Sequence, residues 1–323
     1  MADSLDISAE LKEHIGTHSA ELLTLAYQSM DVWNDVTVYP DVKNETTLTT
    51  LMVDKIVKPY TSSFTPTEKA IKFVPRTIGV KVAKADLLIE PEQYRQTYLA
   101  QFMPKKGVAG VSPEDLPFAK YIWEAVMAEF GEELNNDCAW AGVYNAAGTE
   151  AKDVANGYGT IIKELITAEK MGGVANIGAL TADDAYEQLT ALWRSIPEKY
   201  RNSKKFKFRC YLSDTAKQAY NDSLDKKGWF VGKGEDQPIR NFLRGTEQKL
   251  ELLTASWMHS TDRVFITPLQ NIVLPADAVQ QDLAKMRIVP DVWTSRVGIA
   301  CALGFNFRYG GLIWGNEVDE RPE

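Results

Sequence analysis

Two histidines at helical spacing are the residues whose positions first suggest chemistry. His14 and His18 in the segment HIGTH are four residues apart, so a helix would place both imidazoles on one face. A zinc-protease helix has the same spacing but also has a glutamate directly after the first histidine, where this chain has Ile15. His259 stands alone in WMHSTDR. The three histidines therefore predict ordinary helix or surface positions and no metal site.

The three cysteines could in principle form a disulfide or bind zinc. Cys138, Cys210 and Cys301 are widely spaced and lie in apolar surroundings. Zinc sites use closely spaced ligands, and disulfide frameworks use paired cysteines. We therefore expect three buried, reduced thiols, as is usual in a cytosolic setting.

A third group of polar residues is the basis of one alternative, a small-molecule enzyme. Arg209, Tyr211 and Asp214 lie close together in FRCYLSDTAK, but they fit a strand edge and a helix cap better. The adjacent carboxylates of Asp183 and Asp184 fit the first turn of a helix, where the dipole favours acidic side chains. The chain has neither a nucleophile elbow nor a phosphate loop. We expect no catalytic and no cofactor-binding residues, and no cofactor.

Composition and charge argue against a nucleic-acid-binding protein and against a membrane protein. The chain has 323 residues, of which 45% are hydrophobic, and its formal net charge is −8. An acidic chain is poorly suited to gripping nucleic-acid phosphates, because affinity there depends on clustered lysine and arginine. The longest apolar stretch lies between Arg296 and Arg308; it is shorter than the ~20 residues of a membrane helix, and it alternates. We expect no membrane interaction.

The alternating segment RVGIACALGFNFRYG, residues 296–310, predicts one very long strand. Every odd position from Val297 to Tyr309 is large and apolar, and the even positions between them are small or polar. Side chains alternate faces along a strand, so this pattern predicts one apolar and one nearly bare face. Thirteen residues would span ~43 Å, against ~17–20 Å for an ordinary strand.

A long helix is predicted over residues 117–142. Pro117 is favoured at a first helical position, and apolar residues recur every four positions after it. Such a helix is ~39 Å long, which nearly matches the strand. Gly131 in its middle indicates a close approach or a bend. We expect the helix to pack on the strand through these residues: Phe118, Ile122, Val126 and Phe130 against Ile299, Leu303, Phe305 and Phe307.

The segment before the helix predicts a projecting hairpin. Residues 36–90 are rich in valine, threonine and isoleucine and are interrupted by prolines, and FTPTEK forms a turn between two extended arms. The segment has little material for a core of its own. Projecting arms of this kind bury too little apolar surface to be stable alone. We therefore expect further copies of the chain to complete the burial, with Phe64, Pro66 and Lys69 near the tip contributing to assembly.

The order of these elements resembles the major capsid proteins of tailed bacteriophages, the Hong Kong 97-type fold that encapsulins share. The segment PFAKYIWEAVMAEFGEELNNDCAWAG is similar to the spine helix of that family, and VWTSRVGIACALGFNFRYGGLIWGNE is similar to its returning strand. The resemblance implies an α+β fold with these parts: an N-terminal arm (1–35), an extended β-hairpin loop (36–90), a peripheral domain with the spine helix (91–195), an axial domain (196–285), and the return strand with the C-terminal tail (286–323).

The resemblance also implies the function. Copies of the chain would form pentamers and hexamers that close into an icosahedral shell around double-stranded DNA, which is bound non-specifically. Portal, scaffolding and decoration proteins are the further partners that it implies. The expected location is the virion, after synthesis in the cytoplasm of a bacterial host. An encapsulin-type nanocompartment, a minor virion component and a small-molecule enzyme remain as alternatives.

Overall fold

The computed structural model describes residues 7–53, 56–68, 70–90, 118–228, 241–278, 285–291 and 294–318. The α-helices in these ranges are α1 (Ile7–Gln28), α2 (Asp31–Asp35), α3 (Phe118–Glu133), α4 (Tyr158–Thr167), α5 (Ala185–Ser195), α6 (Glu198–Arg201) and α7 (Asp214–Lys226). The strands are β1 (Thr37–Tyr39), β2 (Glu45–Val53), β3 (Ile71–Gly79), β4 (Lys81–Ile89), β5 (Gly173–Ala175), β6 (Phe208–Leu212), β7 (Leu250–Thr254), β8 (Phe265–Pro268), β9 (Ile272–Pro275), β10 (Lys285–Pro290), β11 (Ser295–Leu303), β12 (Asn306–Phe307) and β13 (Trp314–Asn316).

The described strands form four sheets. The order β10-β11-β4 is a three-stranded antiparallel sheet, and β1-β9-β12 is a small mixed one. The order β5-β13-β8-β6-β7 gives a five-stranded mixed sheet, and β2-β3 is a two-stranded ribbon. Helices and strands are thus mixed in one α+β chain.

A helical layer covers one face of the sheet β10-β11-β4. Alternate residues of β11 are buried, including Val297, Ile299 and Cys301, and they share one hydrophobic core with side chains of α1 and α3. The N-terminal helix α1 contacts both α3 and β10. The segment predicted as an arm, residues 1–35, is therefore helical over 7–28 and packs into the main core over part of its length.

At Gly131 the helix α3 approaches the backbone at the end of α1 closely. A Cβ atom at this position would lie 1.9 Å from Ser29 Oγ and 2.3 Å from the carbonyl oxygen of Ala26. Real Cβ atoms do not approach other atoms this closely, so only glycine fits without displacing α1. The predicted close approach at Gly131 is confirmed, and its partner is the N-terminal helix.

The helix predicted over 117–142 is described from residue 118 and ends earlier. The α-helical part α3 passes directly into a π-helical turn, Leu134–Cys138, and the chain then turns. At Gly142 a Cβ atom would meet the carbonyl oxygens of Ala155 (2.4 Å) and Cys138 (2.5 Å), so the backbone folds back tightly on itself there. The predicted helix was too long because apolar residues continue in the sequence beyond this turn. Ala139 and Trp140 are buried, although they lie outside the helix.

The single strand predicted over 296–310 is wrong. The chain leaves the sheet at Leu303, adds β12 to a second sheet and then β13 to a third. The break falls at Gly304, where a Cβ atom would lie 2.2 Å from the carbonyl oxygen of Gly79. The alternation of apolar residues continues through the break because Leu303 before it and Phe305 and Phe307 after it are all buried.

A second hydrophobic core holds the other half of the molecule. It is built from α5, α7 and the five-stranded sheet, with Leu189, Leu212 and Trp314 among its buried residues. This core begins at Ala185, before the predicted boundary at 196, and it also includes the C-terminal strand β13. The buried Arg263 helps to hold that strand, since its guanidinium donates to the carbonyl oxygens of Asn316 and Glu317.

Candidate assembly surfaces

The β2–β3 ribbon is the most exposed apolar part of the described chain. Of the fourteen large apolar residues that are exposed in the described ranges, eight lie between positions 51 and 73. They are Leu51, Val53, Ile56, Val57, Tyr60, Phe64, Ile71 and Phe73. Large exposed apolar patches mark interaction sites in soluble proteins. The ribbon includes fewer residues than the predicted hairpin over 36–90, because β1 and β4 each pair with strands of another sheet.

One face of the ribbon carries an apolar strip. In the register of β2 and β3, Leu51 lies opposite Phe73 and Val53 lies opposite Ile71. Residues directly opposite each other in an antiparallel pair share a face, so these four side chains lie together. Each of them is more than half exposed. The strip is thus formed within the ribbon but is not covered by the described part of the chain.

The predicted assembly residues lie at or near the tip of the ribbon. Phe64 is 93% exposed, and Pro66 is exposed beside it. Lys69 lies outside the described residues. Tyr60, which the sequence did not single out, is 95% exposed at the same tip. The ammonium group of Lys58 donates a hydrogen bond to the carbonyl oxygen of Thr65 across the tip (3.3 Å).

The base of the ribbon is fixed to the body. Arg76 Nε donates to Asn306 Oδ1 (2.9 Å), and Asn306 Nδ2 donates to the carbonyl oxygen of Thr77 (3.5 Å). Burial lowers the pKa of Arg76 from its usual value, and the nearby Glu164 opposes that shift. Polar contacts therefore hold the base of the ribbon against β12, while its apolar strip is uncovered.

The predicted packing residues lie in or against the main core. Phe130 is buried in this core, and Ile122 and Val126 are partly buried against it. All four predicted residues of the return segment, Ile299, Leu303, Phe305 and Phe307, are buried in the same core. The side chain of Phe118 is outside the described part of the structure. The two sets thus share one core, which α1 also enters.

Tyr27 of α1 is the residue that sequence reasoning missed in this core. Its buried hydroxyl donates to the carbonyl oxygen of Ala302 (3.0 Å) and accepts the N–H of the same residue (3.2 Å). Burial is the main cause that raises its pKa well above the usual value. The sequence feature that could have indicated its burial is the amphipathic spacing of the neighbouring Leu22, Leu23 and Ala26, which are all buried. Spacing alone does not reveal which element such a helix packs against.

Tyr158 provides the aromatic contacts that hold the broken return segment. Its ring packs edge-on against Phe305 and Phe307, with centroids 5.2 and 5.3 Å away. Its hydroxyl donates to the carbonyl oxygen of Val273 in β9 (2.9 Å). The two phenylalanines thus pack on α4, which the sequence had not placed near them.

The three cysteines are buried and form no disulfide. Cys138, Cys210 and Cys301 are all free and buried. Burial raises the pKa of each thiol to about 12. Because the thiolate is the nucleophile and metal ligand, the raised pKa disfavours the reactive form of these groups at neutral pH.

The residues that suggested a small-molecule enzyme make structural contacts. Arg209 and Tyr211 both donate hydrogen bonds to the carbonyl oxygen of Asp35, at 3.2 and 3.0 Å. Asp214 instead starts α7 and accepts a hydrogen bond from Gln218 (2.6 Å). Burial raises the pKa of Asp35, whose carboxylate accepts the indole N–H of Trp257 (2.9 Å). The contacts of Arg209, Tyr211 and Trp257 with Asp35 hold the C-terminal end of α2 against the body.

The other polar residues considered in the sequence analysis, the histidine pair and Asp184, make ordinary contacts within or beside helices. The rings of His14 and His18 stack with centroids 4.5 Å apart on α1. Asp184 Oδ1 accepts a hydrogen bond from the Thr181 hydroxyl, which lowers the pKa of that carboxyl. Within the described ranges, no group of three histidine, cysteine, aspartate or glutamate residues is arranged to hold a metal ion. No helix described here is both long enough and apolar enough to cross a membrane.

Comparison with known proteins identifies the architecture. No protein-family profile matches the sequence, and no curated protein matches it either. A chain of the satellite phage P4 procapsid, solved with its size determination (Sid) protein, is 13% identical, with a TM-score of 0.60 over 93% of this chain and 90% of that one.

Two further solved structures give the same result. A chain from the capsid of Myoviridae phage XM1 is 12% identical, with a TM-score of 0.53 over 90% of this chain and 91% of that one. A chain from the capsid of a native GTA particle is 10% identical, with a TM-score of 0.55 over 91% of both chains. Since the similarity covers nearly the whole of each chain, this protein has the fold of phage capsid proteins.

Proposed function

We propose that this chain is a major capsid subunit, a structural protein and not an enzyme. Its copies would form pentamers and hexamers that close into an icosahedral shell around double-stranded DNA. In the finer terms of the Hong Kong 97-type fold, α3 is the spine helix, the sheet β10-β11-β4 belongs to the peripheral domain, and the second core forms the axial domain. The capsid architectures that the fold matches support this assignment.

The single observation that carries the proposal is the uncovered β2–β3 ribbon. An isolated two-stranded hairpin is at best marginally stable in water. This ribbon has an apolar strip on one face and aromatic residues at its tip, where Tyr60 is 95% exposed. A partner must cover such a surface, and further copies of the chain are the partner that a shell provides.

The net charge of the chain fits a container for DNA better than a DNA-gripping protein. A wall of clustered lysine and arginine would bind the phosphate backbone and hinder its movement. This chain has a formal net charge of −8. Contact with packaged DNA would therefore be weak and independent of its sequence.

Sedimentation and negative-stain microscopy of the expressed chain test the proposal. We expect large closed particles, and a chain that stays monomeric at all concentrations would refute it. Particles from the native source provide two further measurements. Double-stranded DNA inside them supports the capsid, whereas DNA-free particles with enclosed protein would indicate a nanocompartment. A low copy number per particle would indicate a minor virion component.

A further inference from the structure

The sheet β10-β11-β4 has one face that the described part of the chain leaves open. Its other face shares the main core with α1 and α3. Side chains alternate between the two faces of a strand. Arg296, Gly298 and Ala300 of β11 lie on the side away from the core, and none of them is buried. The opening ends at Ala302, which is fully buried. We call the outward surface over these three strands the open sheet face.

Gly298 leaves a bare backbone in the middle of the open sheet face. It is the centre of a row of three residues, with Arg287 of β10 on one side and Asp86 of β4 on the other. A Cβ atom at Gly298 would meet nothing closer than Asp86 Oδ1, at the ordinary contact distance of 3.9 Å, and its φ is not in the left-handed region. The fold of the subunit therefore does not require glycine here. A glycine inside a strand weakens the sheet, and it often marks a place where another backbone approaches closely.

Two exposed apolar side chains lie next to this bare backbone. Leu88 of β4 and Val289 of β10 flank Arg296 in the neighbouring row of the sheet. They are 60% and 61% exposed, and with Gly298 they line a shallow depression of about 410 Å³. A phosphate backbone binds through cationic side chains and gains nothing from exposed leucine and valine. The depression therefore suits a polypeptide better than a nucleic acid.

The open sheet face is basic, although the chain as a whole is acidic. Its charged strand residues are one carboxylate and four cations: Asp86, Lys84, Lys285, Arg287 and Arg296. Their net charge is thus +3, against −8 for the whole chain. Two copies would therefore repel each other if these faces met directly. Carboxylates of a different surface are the groups that this face attracts.

Arg287 and Arg296 are placed to bind one carboxylate together. Arg287 lies opposite Gly298, and Arg296 precedes Gly298 by two residues on the same face. Such diagonal neighbours are ~7–8 Å apart between their backbones, which is within reach of long side chains. Both arginines line the depression. Since a guanidinium group matches the geometry of a carboxylate and binds it through two parallel hydrogen bonds, an acidic side chain fits between them.

We propose that the open sheet face is the docking site of a second protein on the assembled shell, an assignment that rests on the proposed function. This protein presents an acidic segment with a large apolar side chain. The segment passes over the bare backbone of Gly298. One of its carboxylates binds between Arg287 and Arg296, and its apolar side chain contacts Leu88 and Val289. A neighbouring copy and packaged DNA are the competing occupants, and chemical protection in particles separates the three.

Protection of Lys285 and Arg287 from reagents identifies the occupant. Lysines are acylated and arginines are modified with phenylglyoxal in three samples, and mass spectrometry measures each site against the denatured chain. The samples are shells assembled from this chain alone, particles from the native source, and native particles emptied of DNA. Both side chains are exposed in the subunit, so we expect them to react in the first sample and to be protected in the other two.

The remaining outcomes overturn the proposal. Protection in shells of this chain alone assigns the face to a neighbouring copy, and protection that disappears with the DNA assigns it to DNA. Full reactivity in all three samples means that nothing docks there. If the chain forms no shells and is absent from native particles, the proposed function fails instead, and the subunit in solution still tests the docking site.

Gly298→Val separates docking from folding in the unassembled subunit. Valine favours strands and has room here, so we expect the stability measured by urea denaturation to be equal or greater. The probe is a fluorescent peptide of twelve alternating glutamate and leucine residues, and anisotropy measures its binding. We expect Gly298→Val, and separately Arg287→Glu, to weaken that binding about tenfold or more, and high salt to weaken it in the unsubstituted chain.

Gly178→Val is the matched control, because Gly178 is exposed outside the open sheet face and a Cβ atom there would meet nothing within 4 Å. This variant should bind the peptide as the unsubstituted chain does. A peptide of alternating lysine and leucine should not bind. Undiminished binding of the acidic peptide by the Gly298→Val chain, or equal binding of both peptides, contradicts the proposed site. A large loss of stability in Gly298→Val would show that the fold itself requires the glycine, which removes the reason to place a partner there.

Discussion

At the scale of single residues, buried polar groups join elements that are far apart in the chain. Tyr27 connects α1 to the backbone of β11, and Tyr158 connects α4 to β9. Asn135 in the π-helical turn accepts the N–H of Val32 (3.1 Å) and donates to Ser256 Oγ (3.2 Å). A buried donor or acceptor that loses its partner costs about 1–3 kcal/mol, so each of these side chains specifies one arrangement of its neighbours.

Tyr27→Phe tests the first of these contacts. The substitution leaves the N–H of Ala302 without the hydroxyl that it bonds to, so we expect the free energy of unfolding to fall by about 1–3 kcal/mol. Urea denaturation of the unassembled subunit measures the change. Tyr60→Phe at the exposed tip is the control and should change stability by less than about 0.5 kcal/mol. Equal stability of both variants would show that the Tyr27 hydroxyl contributes nothing.

The buried thiols give a second test at this scale. Because burial raises the pKa of Cys138, Cys210 and Cys301 to about 12, we expect none of them to react with a thiol reagent at neutral pH in the folded chain. All three should react in denaturant. Mass spectrometry counts the adducts. A thiol that reacts in the folded chain as fast as a free cysteine peptide would contradict the described packing around it.

At the scale of elements, the crossing of α1 over α3 organises the helical layer. Gly131 allows the two backbones to meet, and α1 also contacts β10, so the N-terminal helix links α3 to the sheet. The ribbon β2–β3 has the opposite character. It is fixed at its base by Arg76 and uncovered along its strip. One element therefore completes the core of the subunit, and the other is available to a neighbouring copy.

Gly131→Ala separates helix propensity from packing. Propensity alone predicts a gain of about 1 kcal/mol, because alanine is the better helix former. The added Cβ would lie 2.3 Å from the carbonyl oxygen of Ala26, so we expect a net loss of about 1–3 kcal/mol in thermal or urea unfolding. Ala125→Gly at an exposed position of the same helix measures propensity alone. A more stable Gly131→Ala variant would mean that α1 does not cross there.

Leu51→Ser with Phe73→Ser tests the ribbon. Both side chains are more than half exposed in the subunit, so its unfolding free energy should change little, while assembly into particles should be lost. Sedimentation measures assembly, and urea denaturation measures stability. Val174→Ser removes an exposed apolar side chain of the edge strand β5 and should leave assembly intact. Normal particles from the double variant would rule out the ribbon as an assembly element.

At the scale of the whole molecule, the described chain builds two hydrophobic cores and leaves one apolar ribbon uncovered. The periodicity of residues 118–134 was sufficient to predict the helix, and the alternation in β11 was sufficient to predict its buried face. The break at Gly304 was not predictable, because apolar alternation continues into Phe305 and Phe307 while the chain changes sheets. The position of α1 could not be predicted from the sequence either. An amphipathic pattern indicates which face of a helix is buried, but not which element of the fold covers that face.

Cryo-electron microscopy of particles assembled from the unsubstituted chain tests the central claim most directly. We expect closed icosahedral shells of pentamers and hexamers, in which the β2–β3 ribbon of each copy is covered by a neighbour. A chain that stays monomeric, or shells in which the apolar strip of the ribbon is still exposed to solvent, would contradict it.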